Sequence, residues 1–195
     1  MCTVACTASR AQEGTLATAL KASYEAEASG DYAAAIKPLT ALGAGGKASY
    51  IVQLRLGWLN TCARDWKQGI EHYQKASKLA PFAIEPLLGK IVAQQAVGLN
   101  EDAIETAQAV LRQDPNNYKA TLHLASLLYL KKDFKQAAVM YRKLANLYPT
   151  DTEVLLGLGY TLTYSGDKKG SAPCFHTVLL LSPNNTRAVE GLRDR

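Results

Sequence analysis

Side chains able to do covalent or metal chemistry are few and scattered in this chain. The three histidines, His72, His123 and His176, stand far apart and share no metal-ligand spacing. Cys174 and His176 are the nearest pair of ligand types, but two ligands fall short of the four that a structural zinc ion takes. Histidine on the solvated surface is the expected reading. Gly46-Lys47 resembles the end of a phosphate-binding loop, whose pattern requires glycine where Ala41 stands and Ser or Thr where Ala48 stands. No Ser, Cys or Thr falls in a nucleophile motif. The sequence therefore predicts no enzyme, no cofactor and no metal. What remains is non-covalent: aromatic and apolar side chains, which anchor partners through large, rigid contact area with a polar handle.

Something must hold those side chains in register, and the spacing of the prolines supplies it. Pro81, Pro115, Pro149 and Pro183 each lie 34 residues apart. Self-similarity at such a period means stacked supersecondary units, none able to bury its apolar face alone. Small residues recur twelve before each proline: Gly69, Ala103, Ala137 and Ser171. Eight before it come Tyr73, Tyr141 and Phe175, with Ala107 the exception. Leucine recurs at Leu54, Leu88, Leu122 and Leu156. Small residues let two helices approach, and large ones fill the gap beside them. Asp65, Asp133 and Asp167 are expected to cap a second helix, Asn100 replaces the missing cap beside Leu99, and Thr150 with Glu153 reads as a further helix start. One unit is helix, turn, helix, proline-marked turn.

On these residues the chain resembles the tetratricopeptide repeat family, which pairs Leu-Gly in a first helix with a small residue, an aromatic and a proline in the second. Leu56-Gly57, Gly69, Tyr73, Ala76 and Pro81 carry the pattern, as do Leu158-Gly159, Phe175 and Pro183, and Leu124-Ala125, Ala137, Tyr141 and Pro149 with Ala for Gly. Gln53, Leu87, Thr121 and Leu155 replace its early Trp, and Lys90-Ile91 breaks the Leu-small pair. The resemblance implies an all-α fold, a right-handed α-solenoid of stacked antiparallel helix pairs. Asp31, Tyr32, Ala35 and Leu20 extend the period backwards, giving five units over 16–185: roughly 16–49, 50–83, 84–117, 118–151 and 152–185. The glycine run Gly43 to Gly46 closes the first unit. Pro38 and Pro173 sit inside second helices and are expected to kink them or cut them short.

The resemblance also implies that first helices line a concave groove. The residues that fall there are Tyr24, Leu54, Trp58, Leu122, Tyr129, Leu156, Tyr160 and Tyr164. The set is apolar and aromatic, without the Lys, Asn and Arg by which some relatives grip a terminal carboxylate. The expected partner is a protein or peptide, as an extended or helical segment with apolar side chains. Its expected role is a scaffold or adaptor, with homo-oligomeric assembly through repeat ends or grooves as the alternative.

Composition narrows the remaining classes. Net charge is +5 with Lys and Arg scattered rather than gathered on one face, so nucleic acid is not an expected partner. No run of about 20 apolar residues exists to span a membrane. Four cysteines do not make a disulfide scaffold at this length, and Cys62 and Cys174 read as small apolar fillers. Residues 1–15, with Cys2, Cys6 and the small-x-small Ser9-Arg10-Ala11, read as a disordered or signal-remnant segment, which points to a periplasmic or secreted chain with cytoplasmic as the alternative. Residues 186–195 read as a short C-terminal cap that sets Val189 and Leu192 on the last unit.

Overall fold

The computed structural model describes the backbone of residues 2–44 and 49–193 and the side chains of 15–42 and 49–193. Every regular element there is a helix, and they group into two compact units, Met1–Gly98 and Leu99–Arg195. The first unit holds α1 (Cys2–Ala28), α2 (Tyr32–Ala44), α3 (Tyr50–Cys62), α4 (Trp66–Leu79) and α5 (Glu85–Ala96). The second holds α6 (Asn100–Gln113), α7 (Tyr118–Leu130), α8 (Phe134–Leu147), α9 (Thr152–Tyr164), α10 (Lys168–Leu181) and α11 (Thr186–Arg193). Within each unit every helix packs on the next in chain order, and first helices also meet one another: α3 with α5, α7 with α9, and α9 with α11. This is the stacked-hairpin arrangement of the all-α solenoid class that the family resemblance implies.

Turns inside the hairpins follow one chemistry. Gly30, Arg64, Gly98, Lys132 and Gly166 all adopt positive φ, between 63° and 88°. A left-handed residue ends a helix by turning its N–H back onto the last carbonyls, as where Asp65 N–H donates to Asn60 O and Arg64 N–H to Thr61 O. Three of these positions are glycine, and at Arg64 and Lys132 a side chain carries the strain. The next residue then caps the second helix. Asp31, Asp65, Asp133 and Asp167 accept from the N–H groups of Ala34, Gln68, Gln136 and Gly170 at 2.9–3.2 Å. Two expectations are corrected here. Leu99, not Asn100, holds the cap position of α6 and gives no side-chain bond, because Asn100 already lies in the helix. The start of α9 is capped by Asp151, which accepts from Glu153 and Val154, rather than by Thr150.

The core shows why the aromatics repeat. Tyr73 of α4 lies between Gly57 of its own hairpin and Gly89 of the next, where a Cβ would come within 2.6 Å of the ring on either side. Phe175 of α10 lies in the same way between Gly159 and Gly191, and Tyr141 of α8 lies against Gly157. Each aromatic is thus a knob seated in a hole that only glycine leaves open, and Tyr73, Tyr141 and Phe175 are all buried. Sixteen residues after each aromatic stands its glycine: Gly89, Gly157 and Gly191. Where the aromatic is replaced, by Leu39 and Ala107, that register holds Arg55 and His123 instead.

Neither internal proline ends its helix. Pro38 lies within α2, and Pro173 within α10, which is as long as α4, α6 and α8. The carbonyl that Pro173 leaves without a donor belongs to Lys169, an exposed residue, so water can take the bond. The backbone is helical from Cys2, well before the start expected near Thr15; the stretch is rich in small residues, with no proline and no glycine before Gly14. In the cap, Ala188 and Gly191 are buried with Leu192 packed beside them, while Arg187, Glu190 and Arg193 are exposed. Cys174 is buried and Cys62 half-buried, and both are free thiols. Gly45, Gly46, Lys47 and Ala48 lie outside the described residues.

Candidate functional site

On the first unit, α1 and α3 bring Tyr24 and Trp58 to the surface at 56% and 51% exposure. Both are held by Arg55 and Glu27, neither of which is among the expected groove residues. The Arg55 guanidinium lies 3.5 Å from the centre of the Tyr24 ring, and its Nε donates to Ser23 Oγ at 2.9 Å. Its terminal nitrogen meets Glu27 at 2.8 Å, while the other Glu27 oxygen accepts from the Trp58 indole N–H at 2.7 Å. That indole bond and the Arg55 guanidinium hold the Glu27 carboxyl below its ordinary range, against the opposing effect of burial. Two large aromatics thereby stand on one ion pair with fixed orientation. Leu54, beside them on α3, is half-buried.

The second unit gathers the rest of the expected set, with one exception. Tyr129 of α7 packs edge-on against Phe134 and Tyr164 at centroid distances of 5.6 and 5.9 Å, and Phe134 and Tyr164 stack at 5.8 Å. Tyr164 remains 59% exposed. Tyr160 stands edge-on to Phe175, and its hydroxyl donates to Arg187 O at 2.6 Å, which ties α9 to the cap helix. Leu122 packs on the core between α7 and α9. Leu156 is 4% exposed among Phe175, Val178 and Ala188, so it is core rather than groove. Its register faces the interior because the aromatic of the same hairpin closes over it.

Between α7, α9 and α11 lies a cleft of about 260 Å³, lined by Ser126, Tyr129, Leu130, Tyr141, Glu153, Gly157, Tyr160 and Arg187. Tyr141 forms its floor. Burial first, and then the Glu153 carboxylate, push its phenol up to about 12, so it stays a hydrogen-bond donor at any physiological pH. Sequence reasoning named Tyr129 and Tyr160 for this surface but missed Arg187, Glu153 and the floor. Arg55 was missed as well, although it, Lys21 and His123 stand in a register that Gly89, Gly157 and Gly191 otherwise occupy.

The histidines differ from the surface reading. His72 is half-buried with Nδ1 2.8 Å from Gln53 Oε1, and His123 is half-buried on α7; only His176 is exposed. Burial, with Lys75 and Lys119 respectively, lowers the pKa of both below the ordinary imidazole value. Among the described residues no cluster of three or more His, Cys, Asp or Glu is arranged to hold a metal, and no helix is long and apolar enough to cross a membrane.

Stacked helix hairpins with first helices gathered into an aromatic surface define a helical-repeat protein. The sequence model of the tetratricopeptide repeat family matches residues 96–156. The matched stretch contains tetratricopeptide repeats, and the same fold runs through solved structures that cover nearly all of the chain. A tetratricopeptide repeat protein from Parabacteroides merdae superposes with a TM-score of 0.84 at 18% identity, covering 93% of this chain and 72% of that one. YrrB, a tetratricopeptide repeat protein with an unusual peptide-binding site, superposes at 0.77 with 10% identity and 90% coverage of each chain. In sequence, the chain is 27% identical over 122 residues to the CTR9 homolog of Arabidopsis thaliana. That match takes in 62% of this chain but only 11% of the relative's length.

Proposed function

We propose that this chain is a protein-interaction module, a scaffold or adaptor that holds a segment of a partner protein on its first-helix surfaces. The observation that carries the reading is the second-unit cleft, where Tyr129, Leu130 and Tyr160 wall a partly enclosed space beside the exposed Tyr164. On the first unit, Tyr24 and Trp58 offer a matching aromatic pair, oriented by Glu27 and Arg55. Rigid aromatics that stay exposed in the folded chain lose little freedom on binding, the property of anchoring residues. Burying a few of them at about 1.5–3 kcal/mol each, less the cost of association, suits a micromolar partner. The peptide-binding site of YrrB, on the same fold, supports the class of partner.

The test is a Trp58→Ala, Tyr164→Ala double variant. Both residues are more than half exposed, so the circular-dichroism spectrum stays that of the folded chain, and the unfolding midpoint falls only by what the Trp58–Glu27 bond and the Tyr164 ring contacts contribute. Partner capture from the native source is expected to be lost. Capture at the wild-type level rejects these surfaces as the binding site.

Assembly with copies of itself is the second reading, favoured by Leu180 and Leu181 at the end of α10, 83% and 47% exposed. Light scattering that shows a monomer at high micromolar concentration rules it out.

A further inference from the structure

The cleft in the second unit has a polar floor that the fold leaves unused. Tyr141 is 6% exposed, yet its hydroxyl has no hydrogen-bond partner among the described residues. The hydroxyl oxygen itself is open to solvent at the cleft, so its donor is free for whatever enters there, whereas comparable phenols in this unit are used inside the fold: Tyr118 donates to Asp151 at 2.6 Å and Tyr160 to Arg187 O. The Tyr141 hydroxyl opens into the cleft because Gly157, on the facing wall, has no side chain to cover it.

Two charges share the same space. Glu153 and Arg187 both line the cleft, and the electrostatics of both reach the Tyr141 phenol. They form no ion pair with each other, and neither pairs with another charge among the described residues. A carboxylate entering toward Arg187 and Tyr141 would meet Glu153. An ammonium entering toward Glu153 would meet Arg187. A thioether or hydrocarbon would leave the phenol unpaired. A primary carboxamide is neutral, and it offers an acceptor oxygen to the two donors and an N–H to the carboxylate.

We infer that this cleft is a specificity pocket for a Gln or Asn side chain on an extended partner segment, its carbonyl oxygen accepting from Tyr141 and Arg187 and its amide N–H donating to Glu153. The volume of about 260 Å³ fits one side chain with its flanking backbone, below the roughly 300–1,000 Å³ of sites for small-molecule ligands. The inference rests on the interaction-module reading and names the chemistry that would discriminate one partner segment from another.

The experiment titrates the full chain, with its tyrosine rings isotope-labelled, with four capped tripeptides, acetyl-Ala-X-Ala-amide, where X is Gln, Glu, Lys or Met. All four share the same backbone amides, so a main-chain effect cancels. The Gln peptide is expected to shift the Tyr129, Tyr141 and Tyr160 resonances with a Kd about fivefold or more below the others, the ratio that one net hydrogen bond supplies. Tyr141→Phe keeps the ring and deletes only an unpartnered hydroxyl, so the fold is unchanged while the preference disappears. Glu153→Gln is expected to bring the Glu peptide level with the Gln peptide, and Arg187→Gln to do the same for Lys. Equal binding of the Met and Gln peptides, or a preference that survives Tyr141→Phe, overturns the inference. Either result leaves the module reading standing, because that reading falls only if Trp58→Ala, Tyr164→Ala keeps full partner capture.

Discussion

A glycine that admits a neighbour's aromatic ring makes a prediction whose sign can be reversed at will. An ideal Cβ on Gly157 would lie 2.5 Å from Cζ of Tyr141 and 2.9 Å from its hydroxyl oxygen, inside the 3.0 Å that real Cβ atoms essentially never breach. The obstacle is a buried ring, so it cannot simply swing into solvent. Overpacking of this kind costs about 1–3 kcal/mol. Against it stands the gain of about 0.5–1 kcal/mol for replacing glycine with alanine inside a helix. Gly157→Ala should therefore destabilise by about 0.5–2 kcal/mol overall. In a Tyr141→Leu background the Cε, Cζ and hydroxyl atoms that crowd the site no longer exist, leaving only the helix gain. The same substitution should then stabilise by about 0.5–1 kcal/mol, a coupling of roughly 1–3 kcal/mol between the two positions. Urea unfolding followed by circular dichroism at 222 nm on the four proteins of the cycle measures it, with the midpoint compared at constant slope. An effect of Gly157→Ala that is the same in both backgrounds refutes the knob-in-hole account of the repeat.

Three further outcomes follow from the turns, caps and charges. Lys132 holds φ 64° where three equivalent turns have glycine, so Lys132→Gly should raise the unfolding midpoint, with about 0.5–1 kcal/mol gained from strain relief net of unfolded-state entropy. Leu99 has the same cap backbone as Asp65 and Asp133 but no acceptor, so Leu99→Asn should stabilise by about 0.5–1 kcal/mol, with added protection of the first α6 amides in hydrogen exchange. Glu27 has its pKa lowered in the fold, so its contribution is present above the carboxyl's ordinary value of 4.5 and is lost as pH falls through the folded value. The stability advantage of wild type over Glu27→Gln, on the order of 1 kcal/mol at neutral pH, should accordingly shrink on acidification below about pH 4; an advantage independent of pH contradicts the role given to this carboxylate.

Much of the fold could be read from spacing, because a helical-repeat core is set by the same residues at each turn of the period. Pro81 to Pro183 mark the turns between hairpins, and Tyr73, Tyr141 and Phe175 seat where their spacing from Gly69, Ala137 and Ser171 puts them. Caps were legible at Asp65, Asp133 and Asp167, which recur in one register, and misread at Leu99 and Asp151, where neighbouring residues compete for the position. Pro38 and Pro173 do not cut their helices short, because a helix tolerates a proline when the orphaned carbonyl can face water. The candidate site was legible by halves. Trp58 and Tyr160 share one register, with Tyr129 and Tyr164 in two neighbouring ones, so spacing alone could nominate all four, while the structure buries Leu156 in the core. Arg55, Glu27, Glu153 and Arg187 lie on four different helices, and although Glu153 and Arg187 share a register 34 residues apart, only packing brings these charges beside those rings. One clue was available: Arg55 and His123 break a glycine register in the very hairpins whose preceding partner lacks the aromatic.

The central claim is that the first-helix surfaces are where a partner sits. A photo-reactive benzoylphenylalanine placed at Tyr164 on the first-helix surface, and at Arg142 on the exposed side of α8 as the control, tests it directly in the native source. Cross-linking to a partner polypeptide at 164 and not at 142 is the expected result. Equal labelling at both positions, or labelling at 142 alone, contradicts the account.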